Sequence, residues 1–309
     1  MLEIFSLKNK IAFVSGGSGY LGECMVQSLS EAGAKVYVNG RDEKKVLSVV
    51  DKLKKNGLDV ESAVFDITNE QEIHQFFDTF GSNTIDILVN NAHSGGGSGG
   101  KGGASIETAL VEDYALSYNV SVASAHNLVK NALPLLKKAK RINGDASVIN
   151  IASIYGMVSP DLQIYESKEV ANPPFYGAAK AALIQWTKYA ACEFAVEGIR
   201  FNSISPGAFP NGKAQKNINL IENIKRKVPM NRIGQPKELV GALIFLAAFI
   251  VSQFVRSRRL LLTVLFISAL IPLIYISDTD LTSGRNLAWA ISWLCVVLRN
   301  YAGTTRWRE

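Results

Sequence analysis

Short apolar runs alternate with amphipathic stretches over most of the first 250 residues. The apolar runs occupy 10–17, 34–41, 60–68, 85–92, 146–153 and 199–207, whereas 21–33, 42–57 and 69–80 have helical spacing. Apolar strands joined by helices are typical of a parallel sheet that is covered on both faces. Crossovers of this length favour a doubly wound sheet. The pattern therefore predicts an α/β protein with a doubly wound parallel sheet of the Rossmann type.

A glycine-rich loop, "SGGSGYLG", follows the first predicted strand and opens the first predicted helix. Its glycines are Gly16, Gly19 and Gly22, and Ser18, Tyr20 and Leu21 lie between them. Glycines in this setting let the backbone turn tightly and approach a pyrophosphate, which the helix N-terminus stabilises. The loop predicts a dinucleotide site, although a glycine triplet alone also fits a simple tight turn.

The end of the second predicted strand bears on the choice of cofactor. An acidic residue there would bind the ribose hydroxyls of NAD, whereas an arginine would accommodate the extra phosphate of NADP. The chain has Gly40 at this position, followed by Arg41 and Asp42. This favours NADP, and NAD stays the alternative because Asp42 is close.

The stretch "PPFYGAAKAAL" places Tyr176 and Lys180 four residues apart, on one face of a predicted helix. A free tyrosine, with a pKa near ~10, is a poor base at neutral pH. A positive charge about 4 Å away is worth roughly 4 kcal/mol at an effective dielectric near 20. We expect Lys180 to lower the pKa of Tyr176 towards the working pH. Tyr165 is the weaker candidate because no lysine follows it by four residues.

Six motifs occur in the order typical of one enzyme family: the glycine loop, "NNAH" at 90–93, Asn119, "NIAS" at 150–153, "YGAAK" at 176–180 and "SPG" at 205–207. The chain resembles the short-chain dehydrogenases/reductases from residue 7 to about residue 247. One departure is Tyr20, which stands where most single-domain members have a glycine. The resemblance implies an NAD(P)-dependent oxidoreductase that interconverts a secondary alcohol and a ketone. The look of "NPPFYGAAK" is closest to members acting on sugars or sugar acids.

The resemblance also implies roles for individual residues. The catalytic set would be Asn119, Ser153, Tyr176 and Lys180, with Asn119 holding a water that passes protons to Lys180. The adenine and its ribose would be contacted by Asp66, Ile67, Asn90 and Ala92, and the nicotinamide would lie near Pro206 and Gly207, with Tyr176 and Lys180 also at the cofactor.

Two segments differ from the usual family pattern. The stretch between Ser153 and Tyr176 is longer than usual, and we expect an extra loop over the site in which Tyr165 touches substrate. His93 stands where a glycine is usual, and we expect it to line the site. The glycine-rich stretch 94–103 predicts a flexible surface loop, or else a lid at the mouth of the site.

Charge and cysteine content narrow the class of protein. The formal net charge is +6, but the basic residues form no long stripe, so we expect no nucleic-acid partner. Cys24, Cys192 and Cys295 are widely spaced, and His74 and His126 have no ligand partners in sequence, so we expect reduced thiols and no metal. The first ten residues are too short and polar for a secretory signal. These features predict a cytoplasmic enzyme with a small-molecule substrate, and a homo-oligomer if the C-terminus permits.

The resemblance breaks down after residue 247. We predict a catalytic domain over 1–247, an apolar insertion over 248–276 and an atypical tail over 277–309. Residues 260–276 are uncharged, follow Arg256, Arg258 and Arg259, and would span about 26 Å as a helix. Three interpretations stay open: a membrane helix, an apolar segment packed on protein, and a gene-level disruption of a normal ending. The rival function is a catalytically impaired nucleotide-binding protein or a membrane-anchored interaction protein.

Overall fold

The protein is represented by a computed structural model that describes residues 3–93 and 103–248. The described residues fall within one compact unit, Met1–Phe249. The segments predicted as an apolar insertion, a membrane helix and an atypical tail lie outside the described residues, apart from Ala248. Most of the glycine-rich stretch also lies outside them, so the predictions made for these segments stay predictions.

Within the described residues, six strands form a single sheet in which every neighbouring pair is parallel. They are β1 (Ile11–Ser15), β2 (Lys35–Gly40), β3 (Val60–Val64), β4 (Ile87–Asn90), β5 (Ala146–Ile151) and β6 (Ile199–Ile204). Their order across the sheet is β3-β2-β1-β4-β5-β6. The predicted doubly wound parallel sheet is confirmed.

In the part of the chain that the structure describes, eight α-helices connect and cover these strands. They are α1 (Tyr20–Glu31), α2 (Glu43–Lys55), α3 (Glu70–Asp78), α4 (Val111–Tyr118), α5 (Ser124–Asn143), α6 (Pro174–Phe194), α7 (Ile218–Lys227) and α8 (Val240–Ala247). A π-helical turn, Asn119–Ala123, joins α4 to α5. Polar side chains cap the N-termini of several helices. Asn69, for example, caps α3 by accepting hydrogen bonds from the backbone N–H groups of Gln71 and Glu72.

The core has two halves because alternate residues of each strand point to opposite faces of the sheet. Ala12 and Val14 of β1 pack on one face with residues of α1, α2 and α8. Phe13, between them, packs on the other face with residues of α3 and α5. Burial of a side chain of this size contributes about 1.5–3 kcal/mol. Both faces of the sheet are therefore covered, as its apolar strands require.

The winding of the sheet reverses between β1 and β4. Ser15 and Asn90, the last residues of these two strands, are paired across the sheet, so the loops that follow begin side by side. Ligands of doubly wound sheets bind in the crevice at such a reversal, outside the carboxyl ends of the strands.

Within 3–93 and 103–248, no helix is both long enough and apolar enough to cross a bilayer.

Candidate active site

The glycine loop connects β1 to α1 with no room for side chains at two of its glycines. Gly16 has a φ of +62°, a conformation that L side chains rarely adopt. A Cβ on Gly22 would lie 2.1 Å from the carbonyl oxygen of Gly16. The loop is closed by a hydrogen bond of 3.0 Å from the Gly19 N–H to the same oxygen. It therefore leaves the N-terminus of α1 open to a ligand.

Asn91 fixes the glycine loop to the end of β4. Its side-chain amide donates to the carbonyl oxygens of Ser15 and Gly16 at 3.1 and 3.0 Å. The Ser15 hydroxyl in turn accepts the backbone N–H groups of Asn91 and Ala92 at 3.0 and 3.2 Å. The sequence analysis did not single out Asn91, although it is the second asparagine of "NNAH". Its position directly after a buried strand, opposite the glycine loop, was the available signal.

The end of β2 excludes an acidic side chain at position 40. A Cβ on Gly40 would lie 2.8 Å from a methyl group of Val46 and 2.9 Å from the hydroxyl oxygen of Ser18. The position where an NAD enzyme would carry an acid is thus closed. The Ser18 hydroxyl lies directly beside it.

Arg41 and Asp42 have different environments. The Arg41 side chain is 80% exposed and reaches the carboxylate of Asp66 at 3.8 Å. Asp42 caps α2, where its carboxylate accepts the Lys45 N–H at 3.2 Å and pairs with the Lys45 ammonium group at 3.1 Å. The hydrogen bond from the Lys45 backbone holds the pKa of Asp42 below its usual value. Asp42 is therefore engaged in capping, whereas Arg41 is available to an anion.

The carboxyl end of β5 brings together Ser153, Tyr176 and Lys180. Ser153 follows the strand, and Tyr176 and Lys180 occupy the first two turns of α6. The Lys180 side chain is buried, and its ammonium group donates to the carbonyl oxygen of Ile151 at 2.7 Å. The ammonium nitrogen lies 5.8 Å from the centre of the Tyr176 ring. Two residues from a helix and one from a strand end thus share one site.

Burial shifts the pKa values of both α6 residues, and the expectation for Tyr176 was wrong. Burial raises the pKa of Tyr176, the hydrogen bond with Ser153 opposes that shift, and the charge of Tyr155 adds to it. Burial lowers the pKa of Lys180 to about 8. The loss of hydration of the phenolate is therefore the largest influence on the pKa of Tyr176, and it exceeds the opposing hydrogen bond with Ser153.

Asn119 lies where the helix between β4 and β5 changes its winding. It begins the π-helical turn, and its carbonyl oxygen accepts the hydroxyl of Ser124 at 2.8 Å. Such turns occur often at functional sites. Asn119 is exposed, and among the described residues Lys180 donates to the Ile151 carbonyl oxygen rather than to Asn119. Its part in proton transfer stays a prediction.

Several predicted cofactor residues have side chains in the core. The amide of Asn90 donates to Asn150 at 2.8 Å, and Asn150 donates to the Thr187 hydroxyl at 2.8 Å, so these side chains link β4, β5 and α6. Ile67 packs among the buried residues around α3 and α5. Any cofactor contact of Ile67 therefore comes from its backbone. The side-chain oxygen of Asn90 is buried and accepts no hydrogen bond from the residues that the structure describes.

The remaining predicted cofactor residues frame the crevice. Ala92 follows Asn91 after β4, and the Pro206 carbonyl oxygen accepts the Ile154 N–H at 2.9 Å, which ties the "SPG" turn to the residue after Ser153. Gly207 is exposed beside it. The ring of His93 contacts that of Tyr176 edge-on, with 6.3 Å between centroids. The prediction that His93 lines the site agrees with this contact.

The longer connection between Ser153 and Tyr176, residues 157–173, is a loop with two short 3-10 turns. We call it the insertion loop. On one side Lys168 pairs with Glu107 at 2.7 Å. On the other side it contacts α7 and its N-cap residue through Asn217–Glu166, Asn223–Ile164 and Lys227–Asp161. The loop therefore joins the segment before α4 to α7.

Inside this loop the Tyr165 hydroxyl lies 3.4 Å from the hydroxyl of Tyr155. Burial raises the pKa of Tyr165, and the hydrogen bond with Tyr155 adds to that shift. Tyr155 also lines a cavity of about 390 Å³ with Asn172 and Gly177, on the side of α6 away from Tyr176. The sequence analysis noted Tyr165 but missed Tyr155, which lies two residues after Ser153.

Within the described ranges, no group of three or more histidine, cysteine or acidic side chains could hold a metal ion.

The sequence is similar to a family of reductases and to individual members of known activity. The family profile described as enoyl-(acyl carrier protein) reductase matches residues 18–252. The chain is 33% identical over 248 residues to the rhamnolipids biosynthesis 3-oxoacyl-(acyl-carrier-protein) reductase of Pseudomonas aeruginosa, covering 79% of this chain and 91% of that reductase.

Two solved structures have the same fold. The NADP active-site complex of Pseudomonas aeruginosa RhlG is 31% identical, with a TM-score of 0.71 over 81% of this chain and 93% of that one. A gluconate 5-dehydrogenase from Burkholderia cenocepacia, in complex with NADP and tartrate, is 25% identical, with a TM-score of 0.69 over 80% of this chain and 91% of that one.

Proposed function

Because this chain belongs to the short-chain dehydrogenase/reductase family of oxidoreductases, we propose that it interconverts a secondary alcohol and a ketone with NADP(H). The observation that carries this proposal is the meeting of Ser153, Tyr176 and Lys180 at the carboxyl end of β5. The glycine loop begins two strands away at the same edge of the sheet. A proton donor thus lies beside a dinucleotide crevice.

The residues present fit NADP. The loop has no space for side chains at Gly16 and Gly22, so a pyrophosphate can approach the N-terminus of α1. Ser18 and the exposed Arg41 would hold the 2′-phosphate, since a guanidinium group binds phosphate through two parallel hydrogen bonds. Bound NADP(H) would supply or accept the hydride at the reacting carbon. The neighbouring NADP complexes support this choice.

Proton transfer belongs to Tyr176. Because burial raises its pKa, the phenol is protonated at neutral pH and can act as the acid in ketone reduction. Ser153 donates a hydrogen bond to the substrate oxygen as negative charge develops there. Lys180, held by the Ile151 carbonyl, titrates near pH 8 and can return a proton to the tyrosine. Oxidation of the alcohol needs the phenolate, so we expect it to favour a higher pH than reduction.

For the substrate we propose a sugar, a sugar acid or another polyhydroxylated compound. The insertion loop places the hydroxyl group of Tyr165 beside that of Tyr155, two residues after Ser153, and the similarity to a gluconate 5-dehydrogenase supports the same class. The similarity to a 3-oxoacyl-(acyl-carrier-protein) reductase makes a 3-oxoacyl thioester the compound to test against it.

The test is a panel of ketones, keto sugars and 3-oxoacyl thioesters, with consumption of NADPH followed by absorbance. We expect turnover with at least one polyhydroxylated ketone, and turnover about a thousandfold slower when Tyr176→Phe replaces the wild type. Tyr189→Phe, at an exposed tyrosine of the same helix, is the matched control. Folded protein that binds NADPH but reduces no carbonyl compound would contradict the proposal and favour a nucleotide-binding protein.

A further inference from the structure

Tyr20 departs from the usual family sequence, and its hydroxyl group makes a long-range contact. It accepts a hydrogen bond of 3.0 Å from the side-chain amide of Gln215, which lies 195 positions later in the chain. Tyr20 is the first residue of α1, directly after Gly19 of the glycine loop. The contact therefore joins the start of α1, which a pyrophosphate can approach, to the segment between β6 and α7.

This segment passes over the carboxyl end of β4. Near its start the Pro206 carbonyl oxygen accepts the Ile154 N–H at 2.9 Å, beside the end of β5. Near its end Gln215 meets Tyr20, beside the end of β1. Because β4 lies between β5 and β1 in the sheet, the two contacts lie on opposite sides of it. We call residues 206–217 the bridge segment, and it crosses the reversal of the sheet, where ligands of such folds bind.

Contacts within the bridge segment position Gln215 for its hydrogen bond. The Asn211 side chain accepts two backbone N–H groups of the following turn at 3.1 and 3.0 Å, and its carbonyl oxygen accepts the Gln215 N–H at 2.9 Å. The Gln215 amide also donates to the Pro210 carbonyl oxygen at 2.8 Å. Its two hydrogens therefore serve Pro210 and Tyr20, and the turn itself directs the side chain towards α1.

The bridge segment is anchored on both sides of this turn. The Ala208 carbonyl oxygen accepts the Gly234 N–H at 2.8 Å. At the other end Asn217 caps α7 by accepting the Leu220 N–H at 3.0 Å, and its amide donates to the carboxylate of Glu166 in the insertion loop at 3.1 Å. The hydrogen bond with α1 thus ties an already ordered segment to the cofactor side of the crevice.

We propose that Tyr20 and Gln215 hold the bridge segment over bound NADP(H), so that their hydrogen bond controls how fast the cofactor leaves. The residues that fit NADP(H), from the N-terminus of α1 to Tyr176, lie on both sides of the crossing. The bridge segment must therefore move before the nicotinamide half is released, and a glycine at position 20 would provide no hydroxyl group to hold it. Tyr20 and Gln215 are positioning residues, because they act through the bridge segment. This inference rests on the proposed cofactor site and not on the reduction of a carbonyl compound.

The rate constant of NADPH release measures this role. Stopped-flow mixing of the NADPH-loaded protein with excess NADP follows the loss of bound NADPH fluorescence. We expect Tyr20→Phe to release NADPH about fivefold faster, since one neutral hydrogen bond contributes a factor of this size. Gln215→Met, which keeps the length of the side chain, should have the same effect. Tyr189→Phe and Gln71→Met, at exposed positions of α6 and α3, are the matched controls and should not change the rate.

The double variant separates one shared contact from two independent ones. Because both substitutions remove the same hydrogen bond, the double variant should release NADPH about as fast as either single variant. A rate near the product of the two single effects, about twenty-five-fold, would overturn the inference.

A fragment of the cofactor shows whether the effect comes from the bridge segment. The compound 2′,5′-ADP lacks the nicotinamide half, so its release does not require the bridge segment to open. Mixing the 2′,5′-ADP-loaded protein with excess NADPH gives its release rate, which we expect Tyr20→Phe to leave unchanged. An equal acceleration for both ligands would mean that the Tyr20 hydroxyl contacts the phosphate itself, and it would overturn the inference.

The outcomes distinguish failure of this inference from failure of the proposed function. Binding of NADPH with an unchanged release rate in Tyr20→Phe overturns this inference alone, even if urea denaturation shows a loss of unfolding free energy. Binding of NADPH without reduction of any carbonyl compound overturns only the proposed reaction. Absence of NADPH binding to the wild type overturns the proposed cofactor and this inference together.

Discussion

The two sides of the crevice use different physical means to recognise a ligand. The cofactor side, formed by the glycine loop and the end of β2, depends on the absence of side chains, as the close contacts at Gly22 and Gly40 show. The substrate side, formed by the end of β5, α6 and the insertion loop, depends on side chains withdrawn from water, the half-buried Tyr176 and the buried Lys180. Substitutions on the first side should affect binding, and substitutions on the second side should affect chemistry and selectivity.

The largest expected effect is that of Tyr176→Phe. Removal of a general acid costs about 10²–10⁴ in rate, so we expect turnover to fall about a thousandfold. The dissociation constant of NADPH should change little, because the cofactor side is intact. Steady-state kinetics and calorimetry on the same preparation measure both quantities. Retention of most of the turnover would remove Tyr176 from its assigned role.

Gly22→Ala should weaken the binding of NADPH, which Tyr176→Phe leaves intact. Its Cβ would lie 2.1 Å from the Gly16 carbonyl oxygen, so the loop must move before the new methyl group fits. We expect the affinity for NADPH to fall about a hundredfold, with a loss of roughly 1–3 kcal/mol in unfolding free energy from overpacking. Fluorescence titration and urea denaturation measure the two effects.

Gly81→Ala is the matched control for that substitution, because a Cβ there meets no atom within 4 Å. We expect it to bind NADPH as the wild type does. Equal affinities for Gly22→Ala and Gly81→Ala would show that the loop does not approach the cofactor closely.

The same contrast explains how much of the molecule the sequence predicted. A chain in which apolar strands alternate with helices can fold in only a few ways, so the parallel sheet and the position of the glycine loop followed from the pattern. Tyr176 and Lys180 were recognisable because helical spacing fixes their relation. Their pKa values were not, because these depend on how deeply α6 buries each group.

Long-range contacts set the limit of prediction. Asn91 joins β4 to the glycine loop across more than seventy residues, and Tyr155 meets Tyr165 only because the insertion loop folds back. The short helix α7 was also missed, although its Lys227 pairs with Asp161 of that loop. Such contacts follow from tertiary packing, which local spacing does not encode.

Lys180→Met should reveal the cost of burying an amine. With a folded pKa of about 8 against an ordinary 10.5, Lys180 destabilises the fold while it is charged, below pH 8. Between pH 8 and pH 10.5, Lys180 is neutral in the folded protein but still protonated in the unfolded chain. The destabilisation caused by its buried charge therefore decreases as the pH rises. Across this range we expect the free energy of unfolding of the wild type to rise by up to about 3 kcal/mol relative to that of Lys180→Met.

Urea denaturation at several pH values between 7 and 10.5 measures that difference. Lys188→Met, at an exposed lysine of the same helix, is the control and should show no comparable trend. A constant difference between the wild type and Lys180→Met would mean that the buried amine keeps an ordinary pKa.

Arg41→Ala should have the smallest effect, and it sharpens the comparison because Arg41 is the exposed, charged member of the cofactor side. A hydrogen bond to a charged group contributes about 1.5–3 kcal/mol, and solvent screening at an exposed site places the expected loss at about tenfold in NADPH affinity. NADH lacks the 2′-phosphate, so its affinity should not change. Titration with both cofactors at low and high salt measures these affinities, with Lys55→Ala at the far end of α2 as the control.

Because screening weakens the guanidinium–phosphate attraction, the NADPH affinities of the wild type and Arg41→Ala should become similar at high salt. Equal losses for NADPH and NADH would make Arg41 an ordinary surface charge, and discrimination between the cofactors would then belong to Ser18 and the closed position at Gly40.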